Sequence, residues 1–271
     1  MGHQNEPALT GPYAAALLGL DGFRDLTWPL RWVTTRGGPK EPDVVRTRRW
    51  SAPTAVGGVS VAAPALVLRH LCDDPDLLQQ AAKVDGLSPS DRIELALEHL
   101  LRQQLVRLRE LQFRGGSHEG DKALRLVLAL RGEQPPTESY AETRGAQLFR
   151  GFGWNVWRQM PILGHHGRIL HRTDFVLSFR LRKRPVVMRP SLGLLMELDS
   201  SEFHRNAFEK DHDRQSTYDS LGYHWVTLTP NQIEHSPQKV RLAVEGACER
   251  AVGRMPASFV PQRLDQVRRA A

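Results

Sequence analysis

Three acidic side chains in the second half of the chain lie at the ends of apolar segments. Asp174 precedes an apolar triplet, and Glu197 and Asp199 flank Leu198 at the end of another apolar run. Side chains at positions i and i+2 of a strand point to the same face, so Glu197 and Asp199 leave the strand together. A half-buried pair of like charges is costly unless a cation or a donor neutralises it, and Mg²⁺ would do so. Taken singly, Asp174 and Glu197 are better explained as carboxylates just beyond strand ends that are solvated or paired with arginines.

The segment 134–256 predicts an α/β domain that would position these acids. Leu194–Leu198 is a continuous apolar run, as expected of a strand buried on both faces. Gly145 and Ala146 would let the first helix approach a sheet closely, and Gly222 suits a helix C-terminus. The predicted elements, in chain order, are a helix Tyr140–Phe152, strands Asn155–Gln159, Thr173–Phe179 and Leu194–Leu198, a helix Ala207–Leu221, a strand His224–Leu228 and a helix Pro237–Val252.

The segment 1–133 predicts a smaller region that is mixed α/β at first and then helical, and 257–271 is a tail. Ser88 begins a helix-start signal, and apolar residues recur after it at helical spacing. The predicted elements are helices at Tyr13–Leu20, Ala65–Leu71 (opened by Pro64) and Lys122–Leu130, short strands at Leu30–Thr34 and Val59–Val61, and an all-helical stretch over 75–111.

The composition fits a globular protein with a polyanionic partner. The 271 residues are 40% hydrophobic, and Lys plus Arg outnumber Asp plus Glu by 37 to 30, a formal charge of +7. A basic excess favours nucleic acid or an anionic membrane surface. The apolar run Ala14–Leu20 is too short to span a bilayer and lacks the basic flank of a signal peptide, so we expect a cytoplasmic protein without membrane attachment.

The two cysteines, Cys72 and Cys248, have no CxxC spacing, which indicates a reducing compartment and small buried residues rather than a disulfide framework. The only close histidine group is His165, His166 and His171, whose spacing is not that of a zinc-ligand pair. We therefore expect no structural zinc.

Several segments, in order, resemble the very-short-patch-repair-like endonucleases of the PD-(D/E)XK superfamily, a widespread bacterial family labelled a domain of unknown function. Arg172–Phe175 is similar to the strand with the metal-binding Asp of that family, and Glu197–Asp199 is similar to its Glu-x-Asp strand. The other similar segments are the opening helix at Ser139–Arg144, the Glu202–His204 segment, the helix positions Phe208, Asp211 and Arg214 with the closing Leu221–Tyr223, and the last strand His224–Thr229.

The resemblance implies a restriction-endonuclease-like α/β/α core and a metal-dependent endonuclease that hydrolyses phosphodiester bonds of DNA. Asp174 and Glu197 would hold one Mg²⁺, with Mn²⁺ as an alternative. Asp199 or Glu142 would contribute a further ligand, a hydrogen bond or positioning. His204 would serve as acid, base or phosphate contact. The implied catalytic set is therefore Glu142, Asp174, Glu197, Asp199 and His204, and the implied metal set is Asp174, Glu197 and Asp199.

The general PD-(D/E)XK pattern has Lys where this chain has Asp199. Lys210 and Arg214, on the following helix, are candidates to supply that positive charge and to contact DNA. A basic stretch between the two acidic strands is a second DNA-binding candidate, because clustered Lys and Arg bind phosphates without reading sequence. A solvated surface loop is an equally compatible interpretation. The stretch comprises Arg180, Arg182, Lys183, Arg184 and Arg189.

The beginning of the chain resembles the region that precedes this nuclease domain in actinobacterial proteins associated with AbiEi-type antitoxins, here without their winged helix. The residues similar to it are Tyr13–Phe23 and Val61–Ala65. Repair, phage defence and mobile-element contexts all fit. A homodimer is one expectation, because cutting both DNA strands usually takes two active sites. The alternative function is a catalytically inactive DNA-binding regulator of the antitoxin type, which keeps a nuclease-shaped scaffold.

Overall fold

The computed structural model describes residues 7–34, 43–46, 52–111, 119–164, 166–178, 193–199 and 207–253. The chain divides into two compact units, Met1–Pro136 and Thr137–Ala271. The first unit ends three residues beyond the predicted boundary at 133. Each unit contains its own sheet and its own apolar core.

The first unit is mixed α/β and then helical, as the sequence predicts. Its strands form one sheet in the order β3-β2-β1-β5-β4. The Ser88 hydroxyl accepts a hydrogen bond from the backbone N–H of Asp91 at 3.1 Å, which fixes the predicted helix start. The elements are β1 (Ala8–Thr10), α1 (Gly11–Leu17), β2 (Arg31–Thr34), β3 (Val44–Arg46), β4 (Thr54–Val56), β5 (Val59–Val61), α2 (Pro64–Cys72), α3 (Pro75–Asp85), α4 (Pro89–Arg102), a 3-10 turn Leu108–Leu111 and α5 (Glu119–Arg131).

The second unit contains a four-stranded mixed sheet in the order β6-β7-β8-β9. β6 and β8 each pair with β7 in antiparallel fashion, and β9 pairs with β8 in parallel. Its elements are α6 (Tyr140–Gly151), β6 (Asn155–Leu163), β7 (Ile169–Ser178), β8 (Gly193–Leu198), α7 (Ala207–Ser220), β9 (Trp225–Leu228), α8 (Pro230–His235) and α9 (Pro237–Gly253).

Two apolar clusters cover the two faces of this sheet. On one face, Phe149 of α6 and Val244 of α9 pack with Phe175 and Met196 of the central strands. On the other face, Tyr218 of α7 packs with strand residues that include Val176 and Leu195. The sheet is therefore buried between helices, and the first five residues of β8 are buried, as the apolar run predicts.

The structure corrects two expectations about this unit and supports a third. β6 and β7 are longer than predicted and form one hairpin, so Asp174 lies inside β7 instead of opening a strand. The short helix α8 was not predicted, although Thr229 and Gln232 cap it reciprocally. Gly145 does allow a close approach, because a Cβ there would lie 3.2 Å from Cζ of Phe175.

Both cysteines are buried and free, as predicted. The tryptophans at 28, 154 and 157 are buried in the cores, where the sequence also favours them over a base-stacking role. In the parts of the chain that the structure describes, no helix has the length and apolarity needed to traverse a bilayer.

Candidate active site

The candidate site lies at the centre of the second sheet, where β7 and β8 run side by side. Asp174 and Glu197 each lie one residue beyond the ladder pair Phe175–Met196, in the same direction along the sheet, so they are neighbours across the two strands. Glu197 is in turn paired with Thr227 of β9. The predicted acids of both strands are thus brought together by the antiparallel register.

The environment of Asp174 disfavours the ionised form of its carboxyl group. The pKa of Asp174 is raised, first by burial and then by the charge of Glu197. One hydrogen bond works against this, because the backbone N–H of Leu198 donates to Oδ2 of Asp174 at 2.7 Å. Arg214 also lowers the pKa of Asp174. The carboxyl group is therefore anchored to the next strand while its charge remains only partly compensated.

Glu197 is buried, with 6% of its surface exposed, and both of its carboxylate oxygens accept hydrogen bonds from α7. The Tyr218 hydroxyl donates to Oε1, and Nη1 of Arg214 donates to Oε2 at 3.1 Å. Burial raises the pKa of Glu197, whereas the Tyr218 hydrogen bond and the Arg214 charge lower it. Burial, followed by the charge of the facing Glu197 carboxylate, raises the pKa of the Tyr218 hydroxyl. Glu197 is held by a neutral and a cationic donor from one helix.

Glu142 lies in the first turn of α6, where the Ser139 hydroxyl caps the helix. Its Oε2 accepts hydrogen bonds from the backbone N–H of Glu138 at 2.9 Å and from Nε2 of Gln159 at 3.0 Å. Burial, followed by the charge of Asp174, raises the pKa of Glu142 to about 7. A helix cap therefore presents a third carboxyl group within electrostatic reach of Asp174.

Gln159 is a residue that sequence reasoning did not single out. It is buried, and its φ of 50° lies in the left-handed region that only a few per cent of non-glycine residues adopt. The ladder pairs Arg158–Phe175 and Met160–Thr173 flank it, so Gln159 lies opposite Asp174 on β6. Such backbone strain is concentrated at functional sites in proteins.

A small cleft of about 30 Å³, open to solvent, lies beside Glu197. Asp199, the first residue after β8, lies at this cleft, and its backbone N–H donates to the carbonyl oxygen of Leu228 at 2.8 Å. Arg214 reaches the cleft from α7 with 39% of its side chain exposed. The remaining lining residues are Leu198, Gln215, Tyr218 and Thr227.

The geometry limits how a metal ion could be held. Among the described residues, no three His, Cys, Asp or Glu side chains form a group able to hold a metal ion. The predicted trio Asp174, Glu197 and Asp199 is therefore not gathered as one ligand set. Magnesium is often held by only one or two protein carboxylates, with water and phosphate oxygens completing its shell. The pair Asp174 and Glu197 has the donor chemistry for that.

Compared with family models, with curated proteins and with solved structures, the chain matches none.

Of the predicted site residues, the structure brings Glu142, Asp174, Glu197, Asp199 and Arg214 to one region of the second unit. Lys210 belongs to α7, but its side chain is outside the described residues. His204 also lies outside them, as does the whole basic stretch: Arg180, Arg182, Lys183, Arg184 and Arg189. Sequence reasoning missed Tyr218, because its role depends on a contact with Glu197, 21 positions away in the chain.

Proposed function

We propose that the second unit is a metal-dependent DNA endonuclease of the PD-(D/E)XK class, similar to the very-short-patch-repair-like enzymes. The observation that carries this proposal is the pair of half-buried Asp174 and buried Glu197 on adjacent central strands, with an open cleft beside Glu197. Folding places like charges together at an energetic cost, which a divalent cation would relieve. The strand order β6-β7-β8-β9 between helices supports the same class.

In this proposal, Asp174 and Glu197 hold Mg²⁺ or Mn²⁺, which would stabilise the negative charge that develops on the attacked phosphate. Tyr218 and the backbone of Leu198 fix the orientation of the two carboxylates. Asp199 and Glu142 would each accept a proton or a hydrogen bond at the edge of the site. Arg214 would supply the positive charge for which the general pattern uses Lys.

The substrate we propose is DNA. The charge of +7 favours a polyanion. A phosphodiester presents the oxygen ligands that would complete the shell of a two-carboxylate magnesium site. The basic residues at 180–189 and Lys210 remain predicted DNA contacts, and His204 remains a predicted acid, base or phosphate contact. Homodimerisation and cytoplasmic localisation remain expectations.

The test is cleavage of supercoiled plasmid with Mg²⁺ or Mn²⁺ by the wild type and by Glu197→Ala, with Glu234→Ala as a matched control. Glu234 is also ion-paired to an arginine, Arg144, at 3.4 Å, but lies on α8. We expect nicking by the wild type and by the control, and a loss of at least about 100-fold in Glu197→Ala. Equal nicking by all three proteins would contradict the assignment of Glu197.

The second candidate function is a catalytically inactive DNA-binding regulator. The hydrogen bonds of Tyr218 and Arg214 to Glu197 favour it, because they already satisfy both carboxylate oxygens without a metal. DNA binding that does not depend on divalent cations, together with no cleavage under Mg²⁺ or Mn²⁺, would establish this function and exclude the nuclease.

A further inference from the structure

Arg214 is placed as an internal cation beside the proposed metal site. Its guanidinium is 3.1 Å from Oε2 of Glu197, and its charge acts on Asp174 as well. In the metal-free protein, among the residues that the structure describes, Arg214 is the cation that compensates the charges of both Glu197 and Asp174. A divalent cation held by the same carboxylates would therefore meet this guanidinium as a competitor.

The position of Arg214 allows it to leave Glu197. Its side chain is 39% exposed, whereas that of Glu197 is 8% exposed. Arg214 is therefore partly in contact with solvent while its end group contacts a buried acid. It also lines the open cleft next to Asp199 and Gln215. Because the cleft is open to solvent, an arginine that withdraws from Glu197 can meet a ligand at its mouth. Guanidinium groups bind phosphate oxygens in bidentate fashion.

We infer that Arg214 is an exchangeable partner of Glu197: it pairs with the carboxylate when no divalent cation is bound, and it moves to a DNA phosphate in the cleft when a cation takes its place. This inference rests on the proposed function. Arg214 therefore has two roles. It neutralises Glu197 in the metal-free protein, and it contacts a DNA phosphate only in the metal-loaded protein. Tyr218, which donates to the other oxygen of Glu197, would keep the carboxylate oriented during the exchange.

The first test measures Mn²⁺ binding in the absence of DNA, by the electron paramagnetic resonance signal of free Mn²⁺, in the wild type, Arg214→Gln and Arg241→Gln. Arg241 is a matched control, because it pairs with Glu245 at 3.1 Å, is 43% exposed and lies on α9. We expect Arg214→Gln to bind Mn²⁺ about three- to tenfold more tightly, since an ion pair that competes with the metal is removed. Arg241→Gln should bind as the wild type does.

The second test measures binding to a short DNA duplex as a function of salt, in EDTA and in Ca²⁺, which we use in place of Mn²⁺ to slow cleavage. In Ca²⁺, Arg214→Gln should bind DNA more weakly than Arg241→Gln, and its salt slope should fall by about one phosphate contact. In EDTA the two variants should bind alike, because Arg214 remains on Glu197. Arg214→Lys, which keeps a competing charge, should return the Mn²⁺ affinity towards that of the wild type.

The outcomes separate the inference from the proposed function. If the wild type binds Mn²⁺ and Arg214→Gln binds it equally or more weakly, the exchange is wrong while the metal site stands. If neither the wild type nor Arg241→Gln binds Mn²⁺, either alone or with the DNA duplex present, the proposed nuclease function fails, and the exchange fails with it. Thermal unfolding of each variant shows whether it is folded, and Arg214→Met, which also removes the charge, provides the same comparison if Arg214→Gln is not folded.

Discussion

Asp174 neighbours Glu197 across β7 and β8, and the charge of Glu197 raises the pKa of Asp174. A protein that needed only a stable sheet at this place would gain from apolar or amide side chains. The pair therefore lowers the stability of the metal-free fold, a cost that functional sites commonly carry. Stability measurements can test this independently of catalysis.

Asp174→Asn should raise the free energy of unfolding of the metal-free protein at pH 8 by about 1–2 kcal/mol, because each pKa unit corresponds to about 1.4 kcal/mol. The amide oxygen can still accept from the N–H of Leu198. Urea unfolding in EDTA measures the change. In Mg²⁺ the order should reverse, because only the wild type gains the stabilisation of a bound ligand.

The control for this substitution is Asp213→Asn, which makes the same change of charge at an exposed position of α7. It should leave the free energy of unfolding within about 0.5 kcal/mol of the wild type. An Asp174→Asn protein that is less stable than the wild type in EDTA would show that the carboxylate is a structural requirement, not a tolerated strain.

The secondary structure of the second unit was largely predictable, because its signals are local. Ser139 caps α6, Gly222 with a φ of 74° follows α7, and the apolar run of β8 is buried. The hairpin of β6 and β7 was underestimated. At the beginning of β7, Ile169 and Leu170 are both exposed, so apolar and polar residues do not alternate there as they do in a half-buried strand. The sequence therefore gives no strand signal at this end of β7.

The site was predictable only in part. Residues that carry charge at strand ends, such as Glu197, are visible in a sequence. Gln159 and Tyr218 are not, because their roles depend on contacts across 17 and 21 positions of the chain, to Glu142 and Glu197. The left-handed backbone of Gln159 has no sequence signal, since glycine and asparagine are the residues usually expected there.

Tyr218→Phe should lower the free energy of unfolding by about 1–3 kcal/mol, because Glu197 loses a donor while it stays buried. A double-mutant cycle with Glu197→Leu, which removes the acceptor, isolates the hydrogen bond from the packing of the ring. We expect a coupling energy of about 1 kcal/mol or more by urea unfolding in EDTA. Additive effects of the two substitutions would mean that the hydroxyl contributes nothing through Glu197.

Glu142→Gln should change how stability depends on pH. The pKa of Glu142 is raised to about 7 in the folded protein, so between its ordinary value near 4.5 and pH 7 the folded state holds a proton that the unfolded state has lost. Stability must therefore fall as pH rises through this window. Glu142→Gln removes that contribution, and relative to the wild type it should gain about 1–3 kcal/mol between pH 4.5 and 8.

The measurement for Glu142 is urea unfolding of both proteins across this pH window in EDTA. A difference between the two proteins that stays constant with pH would show that Glu142 titrates normally. The result would then remove the electrostatic link between Glu142 and Asp174.

His70 in the first unit should act in the opposite direction. Burial, followed by the charge of Arg69, lowers its pKa to about 4, and its Nδ1 lies 2.6 Å from the Thr10 hydroxyl. Below about pH 6.5 the unfolded state binds a proton that the folded state refuses, so stability is lost as pH falls from 6.5 to 4. His70→Gln should remove this loss. If the free energy of unfolding changes with pH in the same way in the wild type and in His70→Gln, the prediction is wrong.

Gly145→Ala should destabilise the second unit, whereas Gly151→Ala on the same helix should not. A Cβ at Gly145 would lie 3.2 Å from Cζ and 3.3 Å from Cε2 of Phe175, whose ring packs edge-on against Phe149. Overpacking of this kind costs about 1–3 kcal/mol, which exceeds the gain in helix propensity of about 1 kcal/mol. At Gly151 no atom lies within 4 Å of the added Cβ.

Thermal unfolding should therefore give a lower Tm for Gly145→Ala and an unchanged or higher one for Gly151→Ala. Equal Tm values would show that α6 can move away from the sheet, and the close packing that places Glu142 beside Asp174 would then be adjustable.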